Sequence, residues 1–150
     1  MIRYPLVTIP WIDCVSTVAV SYVAWPCPVT SGSKGLHLYA HLPRRQDSDK
    51  TSETAKTIAE ELQAEHPRQV TATMTKAKRS GKVFLDWSQN AGSKTTVSPY
   101  SMRGVERPLV ATPVTWDEVE EGAEDPVGLD QFRYDEVIRR VQEHGDLFTE

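Results

Sequence analysis

Hydrophobic and polar residues alternate with two distinct periods along this chain, and the change of period marks its elements. From Leu36 to Leu42 the apolar residues Leu36, Leu38, Ala40 and Leu42 take every second position, with His37, Tyr39 and His41 between them. That period of two predicts a strand with one buried face. From Ser52 to Glu65 the period lengthens: Ala55, Ile58, Ala59 and Leu62 fall at i, i+3, i+4 and i+7, the stripe of an amphipathic helix stopped by Pro67. Val29-Thr30 predicts a strand leading into the polar loop Ser31-Gly32-Ser33-Lys34-Gly35, and Val70–Met74 a short extended segment. Val83-Phe84-Leu85 is an apolar run ending in Asp86, followed by a polar turn from Ser88 to Ser93 and a Thr- and Val-rich run from Thr95 to Tyr100, which predicts strand, loop and strand.

The ends of the chain are patterned differently. Residues 1–27 are apolar and β-branched, interrupted by Pro5, Pro10 and Pro26, with Val15–Val23 as a candidate strand. Thr115-Trp116-Asp117-Glu118 has the spacing of a capping box and predicts a short helix through Val119. Glu120–Asp125 reads as an acidic loop, and Asp135–His144 with Gly145 behind it as a terminal helix.

A chain of 150 residues fits one domain. No apolar run approaches a membrane span and no secretion-signal pattern opens the chain, so a cytoplasmic location is expected. Cys14 and Cys27 are too far apart for a CxxC pair and read as ordinary thiols.

Charge changes the picture more than composition does. Residues 1–66 hold 6 Lys/Arg against 7 Asp/Glu, residues 67–107 hold 8 against 2, and residues 108–150 hold 3 against 12. The basic middle would attract DNA, RNA or a nucleoside triphosphate, although a solvated face explains the lysines equally well. Asp86 is embedded in it, with Lys76, Lys78, Arg79 and Lys82 before it and Lys94 and Arg103 after it. An acid at a strand end is commonly a turn residue or a helix cap; at the mouth of a buried strand its charge needs compensation. The loop from Ser31 to Gly35 offers amides, hydroxyls and Lys34, the components of a phosphate cradle, but it is not a Walker A sequence and also suits a plain hairpin turn.

Three segments in order, TSGSKGLHLYAHL, KAKRSGKVFLDWSQN and KTTVSPYSMRG, resemble the polymerase domain of the bacterial non-homologous end-joining DNA ligase D, within the archaeo-eukaryotic primase superfamily. The likeness runs from about Pro28 to the C-terminus, including ERPLVATPVTWDEV and the final Gly-Asp-Leu-Phe. It implies an α+β fold, a mixed or antiparallel sheet with flanking helices, and metal-dependent addition of nucleotides to a primer at a DNA break.

Carried over by position, the resemblance makes Asp86 a metal-binding aspartate and His37 the motif histidine. It makes Ser31, Lys34 and Gly35 the nucleotide-contacting loop, and Arg79, Arg103 and Lys94 basic residues around the triphosphate. Gln89, three residues beyond Asp86, is a candidate for the pocket wall. The implied cofactor is Mn or Mg. The implied partners are nucleoside triphosphates, DNA with primer-template or broken ends, and the ligase and end-binding proteins of the pathway, in a bacterial, nucleoid-associated setting without a membrane.

The family's first motif, an Asp-x-Asp strand well upstream of the histidine, has no counterpart here, because His37 stands too near Met1 and Asp13 is unpaired. Residues 1–27 are therefore read as a divergent segment and residues 28–150 as the C-terminal portion of such a domain. Two expectations follow: a truncated nucleotidyltransferase, or a non-catalytic remnant that binds nucleotide or DNA through its basic centre. A half-domain is also expected to be marginally stable or to self-associate.

Overall fold

A computed structural model describes residues 2–3, 26–33, 35–42, 44–104, 106–124 and 130–148. Within them the fold is α+β. Its main sheet contains β1 (Ile2–Arg3), β2 (Cys27–Thr30), β3 (Gly35–Tyr39), β4 (Val70–Thr71) and β5 (Val83–Leu85), in the spatial order β2-β3-β1-β5-β4. β2 and β3 form an antiparallel hairpin, β1 runs antiparallel to both β3 and β5, and β4 lies parallel to β5. A second antiparallel pair joins β6 (Met102–Arg103) to β7 (Leu109–Val110).

The alternation of β3 sorts the two faces of the sheet. Leu36 and Leu38 turn to the side where α1 (Ser48–Glu65) and α2 (Trp116–Glu124) pack. There Val83 and Leu85 meet Ala59 and Leu62 of α1, while Leu36 meets Val119 of α2 and Val114 just before that helix. Each fully buried Leu or Val on this face contributes about 1.5–3 kcal/mol through removal from water. His37, Tyr39 and Phe84 occupy the intervening positions and belong to the opposite face.

Helix α1 begins a turn earlier than its apolar stripe, because the Asp47 carboxylate accepts the Lys50 amide at 2.8 Å and caps the helix there. The Thr115–Glu118 capping box forms, with the Thr115 amide on the Glu118 carboxylate at 2.8 Å and the Glu118 amide on the Thr115 hydroxyl at 3.2 Å. Helix α2 then runs on to Glu124, through most of the expected acidic loop. Arg140 of α3 (Tyr134–His144) clamps Glu118 with both guanidinium nitrogens, one at 2.8 Å, and tethers the last helix to α2.

The predicted strand over Thr95–Tyr100 does not form. Most of this run is exposed, and sheet pairing starts only at Met102. Its β-branched residues give it strand propensity but no sheet neighbour to bury them, and propensity without burial is a weak determinant. The candidate strand Val15–Val23, Cys14 and Lys34 lie outside the described residues. Among those residues no helix is long and apolar enough to cross a membrane.

Candidate functional site

Register brings the two most distinctive residues to one level. Ile2 of β1 is opposite both Leu36 and Leu85, and Arg3 is opposite both Gly35 and Phe84. The next positions, His37 and Asp86, therefore stand level on strands two apart, on the face away from α1 and α2, with ~10 Å expected between their backbones from two strand spacings. Residues far apart in sequence are thus assembled by strand pairing alone.

Asp86 sits just past the end of β5, half-buried, and its charge is compensated locally. The Ser88 hydroxyl donates to one carboxylate oxygen at 2.7 Å and the Gln89 amide to the other at 3.2 Å. Burial alone would raise its pKa, but these hydrogen bonds outweigh it and hold the carboxyl below its ordinary range. Gln89, singled out in the sequence as a candidate for the pocket wall, is held against Asp86 by this bond. Ser88 escaped notice there, although a hydroxyl two residues beyond an Asp is a common local donor.

His37 is buried, and its pKa is pushed down to about 4, by burial first and further by the nearby Arg103 cation. It is neutral at physiological pH. Tyr39 stands beside it, the hydroxyl 3.5 Å from His37 Nδ1 and the rings edge to face at 5.9 Å.

The loop between β2 and β3 is closed by its own groups. The Ser31 amide donates to the Gly35 carbonyl at 2.7 Å, and the Gly35 amide to the Ser31 hydroxyl oxygen at 3.0 Å. The Ser33 amide donates to the Gln131 side chain at 2.9 Å. Three of the amides that the sequence offered as a phosphate cradle are therefore engaged in bonds that close the loop. Among the described groups of the loop, these bonds do not use the Ser31 hydroxyl proton, since its oxygen acts as acceptor, and a cation lies above the loop. Gln131, which sequence reasoning missed, braces the loop from almost a hundred residues away; no local signal announces such a contact.

That cation is Arg103. Gly32, at φ +65°, brings the loop backbone so close that a Cβ would lie 3.1 Å from Arg103 Cγ and 3.2 Å from the Ala111 nitrogen. The Arg103 guanidinium donates to the Ser31 carbonyl at 3.3 Å. β6 thereby delivers a cation onto the β2–β3 loop, beside His37. Arg79 is placed differently: its guanidinium stacks 3.4 Å from the Phe84 ring centre, and it donates to the carbonyls of Thr73 (3.0 Å) and Met74. Lys94 lies in the exposed turn after Trp87–Asn90.

Nucleotidyl transfer in general relies on divalent metal ions. Among the described residues, no group of three or more His, Cys, Asp or Glu side chains is placed to hold one. A divalent ion takes about six oxygen ligands. Asp86, whose oxygens already accept two hydrogen bonds, does not fit as the sole protein ligand of a metal centre.

A family model described as the primase-polymerase domain of LigD matches residues 18–148. The multifunctional non-homologous end joining protein LigD of Mycolicibacterium smegmatis is 53% identical over 122 residues, which cover 81% of this chain and 15% of that protein. The bifunctional LigD of Bacillus subtilis is 34% identical over 122 residues, again 81% of this chain and 19% of its own length. Among solved structures, the polymerase domain of Mycobacterium tuberculosis ligase D in complex with DNA superposes with a TM-score of 0.87 at 43% identity, over 98% of this chain and 51% of that one. The chain thus spans about half of the solved domain and a small part of the full-length relatives. By sequence and by fold, this chain belongs to the LigD primase-polymerase domain family.

Proposed function

We propose that this chain provides the triphosphate-handling part of a nucleotidyltransferase site that extends primers at DNA breaks during non-homologous end joining. The observation that carries the reading is the convergence of Arg103, the Ser31 hydroxyl and His37 at one end of the sheet, level with Asp86. Arg103 supplies a fixed positive charge for phosphate oxygens, and the Ser31 hydroxyl supplies a donor. Asp86, ionised and oriented by Ser88 and Gln89, would contribute one carboxylate to a catalytic ion, Mn or Mg, that needs further ligands from elsewhere. His37, neutral and buried, acts through hydrogen bonding rather than charge. Lys34 and Lys94, with the basic stretch that includes Lys76 and Lys78, would draw the triphosphate and the DNA backbone towards this face.

The small set of metal donors favours a second reading, a binding module without chemistry of its own. Both are tested by nucleotide addition to gapped DNA carrying a downstream 5′-phosphate, with ribonucleotides and manganese, comparing the chain with Asp86→Ala. Addition that disappears in the variant supports the transferase. A folded chain that binds triphosphate but adds nothing supports the binding module. Absence of both binding and addition overturns both readings.

A further inference from the structure

The C-terminal Gly145–Phe148 segment does not trail into solvent but returns to the sheet. Gly145, at φ +75°, ends α3 and reverses the chain, a conformation that favours glycine. Three contacts then fasten the segment. The Tyr100 hydroxyl donates to Asp146 at 2.7 Å, and burial, together with this bond, pushes the Tyr100 pKa up to about 12. The Cys27 thiol donates to the Leu147 carbonyl at 3.5 Å. Phe148, its amide on the Asp146 carboxylate at 3.0 Å, places its ring edge to face on Tyr39, centroids 5.4 Å apart at 87°.

Tyr39 therefore stands between the tail and His37. Its hydroxyl donates to the Val97 carbonyl at 2.7 Å, a short bond that commits its only proton. The lone pairs of the same oxygen are left facing His37 Nδ1 at 3.5 Å, the long end of the hydrogen-bond range. An oxygen that has already given its proton away can only accept there, so the arrangement favours a proton on Nδ1 and leaves Nε2 as an acceptor. The irregular Thr95–Tyr100 segment acquires a role through the same bond: its Val97 carbonyl sets the direction of the tyrosine hydroxyl.

We propose that Tyr39 is a positioning residue which fixes the ring and tautomer of His37, and that the C-terminal segment, through Phe148, holds Tyr39 in place. In the nucleotide site proposed above, on which the functional side of this inference rests, a neutral His37 with an unprotonated Nε2 serves as a hydrogen-bond acceptor for a hydroxyl of the bound nucleotide. Removing the tyrosine hydroxyl frees the ring to turn and to exchange tautomers; removing the Phe148 ring loosens Tyr39 without touching the histidine.

The test is nitrogen-15 NMR of the full chain with labelled histidine near neutral pH, the His37 signals being assigned with His37→Gln. The parent is expected to show Nδ1 protonated and Nε2 bare. Tyr39→Phe, which keeps the ring and its packing, should shift the population towards the Nε2-protonated tautomer. Phe148→Ala should shift it in the same direction and less far. Unchanged nitrogen shifts in both variants would overturn the proposal, as would a parent already protonated on Nε2. Because this measurement needs no substrate, its outcome is separate from that of the nucleotide reading: a parent that binds no triphosphate sinks the latter while the tautomer result stands. With triphosphate present, Tyr39→Phe should weaken binding about tenfold, the loss of one oriented hydrogen bond.

Discussion

Replacing Gly32 with alanine tests how the β2–β3 loop and Arg103 are joined. The glycine holds φ +65°, where an L-residue costs ~1–2 kcal/mol. The new methyl would lie 3.1 Å from Arg103 Cγ and 3.2 Å from both Arg103 Cδ and the Ala111 nitrogen. The arginine can swing away, but the Ala111 amide is tied to the Ser101 carbonyl at 3.0 Å and cannot. Swinging away forfeits the bond from Arg103 to the Ser31 carbonyl, worth ~1 kcal/mol. Together these predict a loss of ~2–3 kcal/mol in urea unfolding. Triphosphate affinity should fall ~10- to 100-fold as the cation leaves the loop. Arg103→Ala separates the two effects: it should lose the same affinity and only ~1 kcal/mol of stability. A Gly32→Ala protein within ~0.5 kcal/mol of the parent and with unchanged affinity would refute the close approach on which the site depends.

Other perturbations have equally defined outcomes. Arg140→Ala strands Glu118 half-buried on α2 and should cost ~2–4 kcal/mol in denaturant unfolding, whereas Glu118→Gln, which still accepts from Arg140, should cost less. Leu62→Ala opens a cavity under β5 and should cost ~2–5 kcal/mol. The His37 pKa is pushed from 6.5 to about 4, so below pH 6.5 the unfolded chain binds a proton that the folded chain refuses. Stability should therefore fall as pH drops from 6.5 towards 4, by at most ~3 kcal/mol, and His37→Gln should flatten that slope. Asp86→Ala should leave the Ser88 and Gln89 side chains without their shared acceptor, with little effect on folding and full loss of any nucleotide addition.

The readable parts of the sequence were those where one period dominated. The alternation Leu36-His37-Leu38-Tyr39 placed His37 on the face away from the helices, and the stripe through Ala59 and Leu62 identified α1. Thr115 and Glu118, and Gly145 behind His144, fixed helix ends through short-range hydrogen bonds that spacing alone reveals. The strand expected at Thr95–Tyr100 failed because its propensity was not matched by a surface to pack on. Site residues were legible as types but not as partners. The sequence surrounds Asp86 with cations, yet the neutral Ser88 and Gln89 donate to its oxygens, while Arg79 turns to Phe84 and two carbonyls. Contacts such as Gln131 to Ser33 and Phe148 to Tyr39 join positions about a hundred residues apart, and only the tertiary fold can reveal them.

The most direct test is calorimetric titration of a nucleoside triphosphate into the full chain and into Arg103→Ala, at two salt concentrations. Saturable binding that weakens steeply with salt and falls at least tenfold in the variant is the predicted result. Equal affinity in the two proteins, or no binding by a folded parent, would contradict a triphosphate site built on the β2–β3 loop and Arg103.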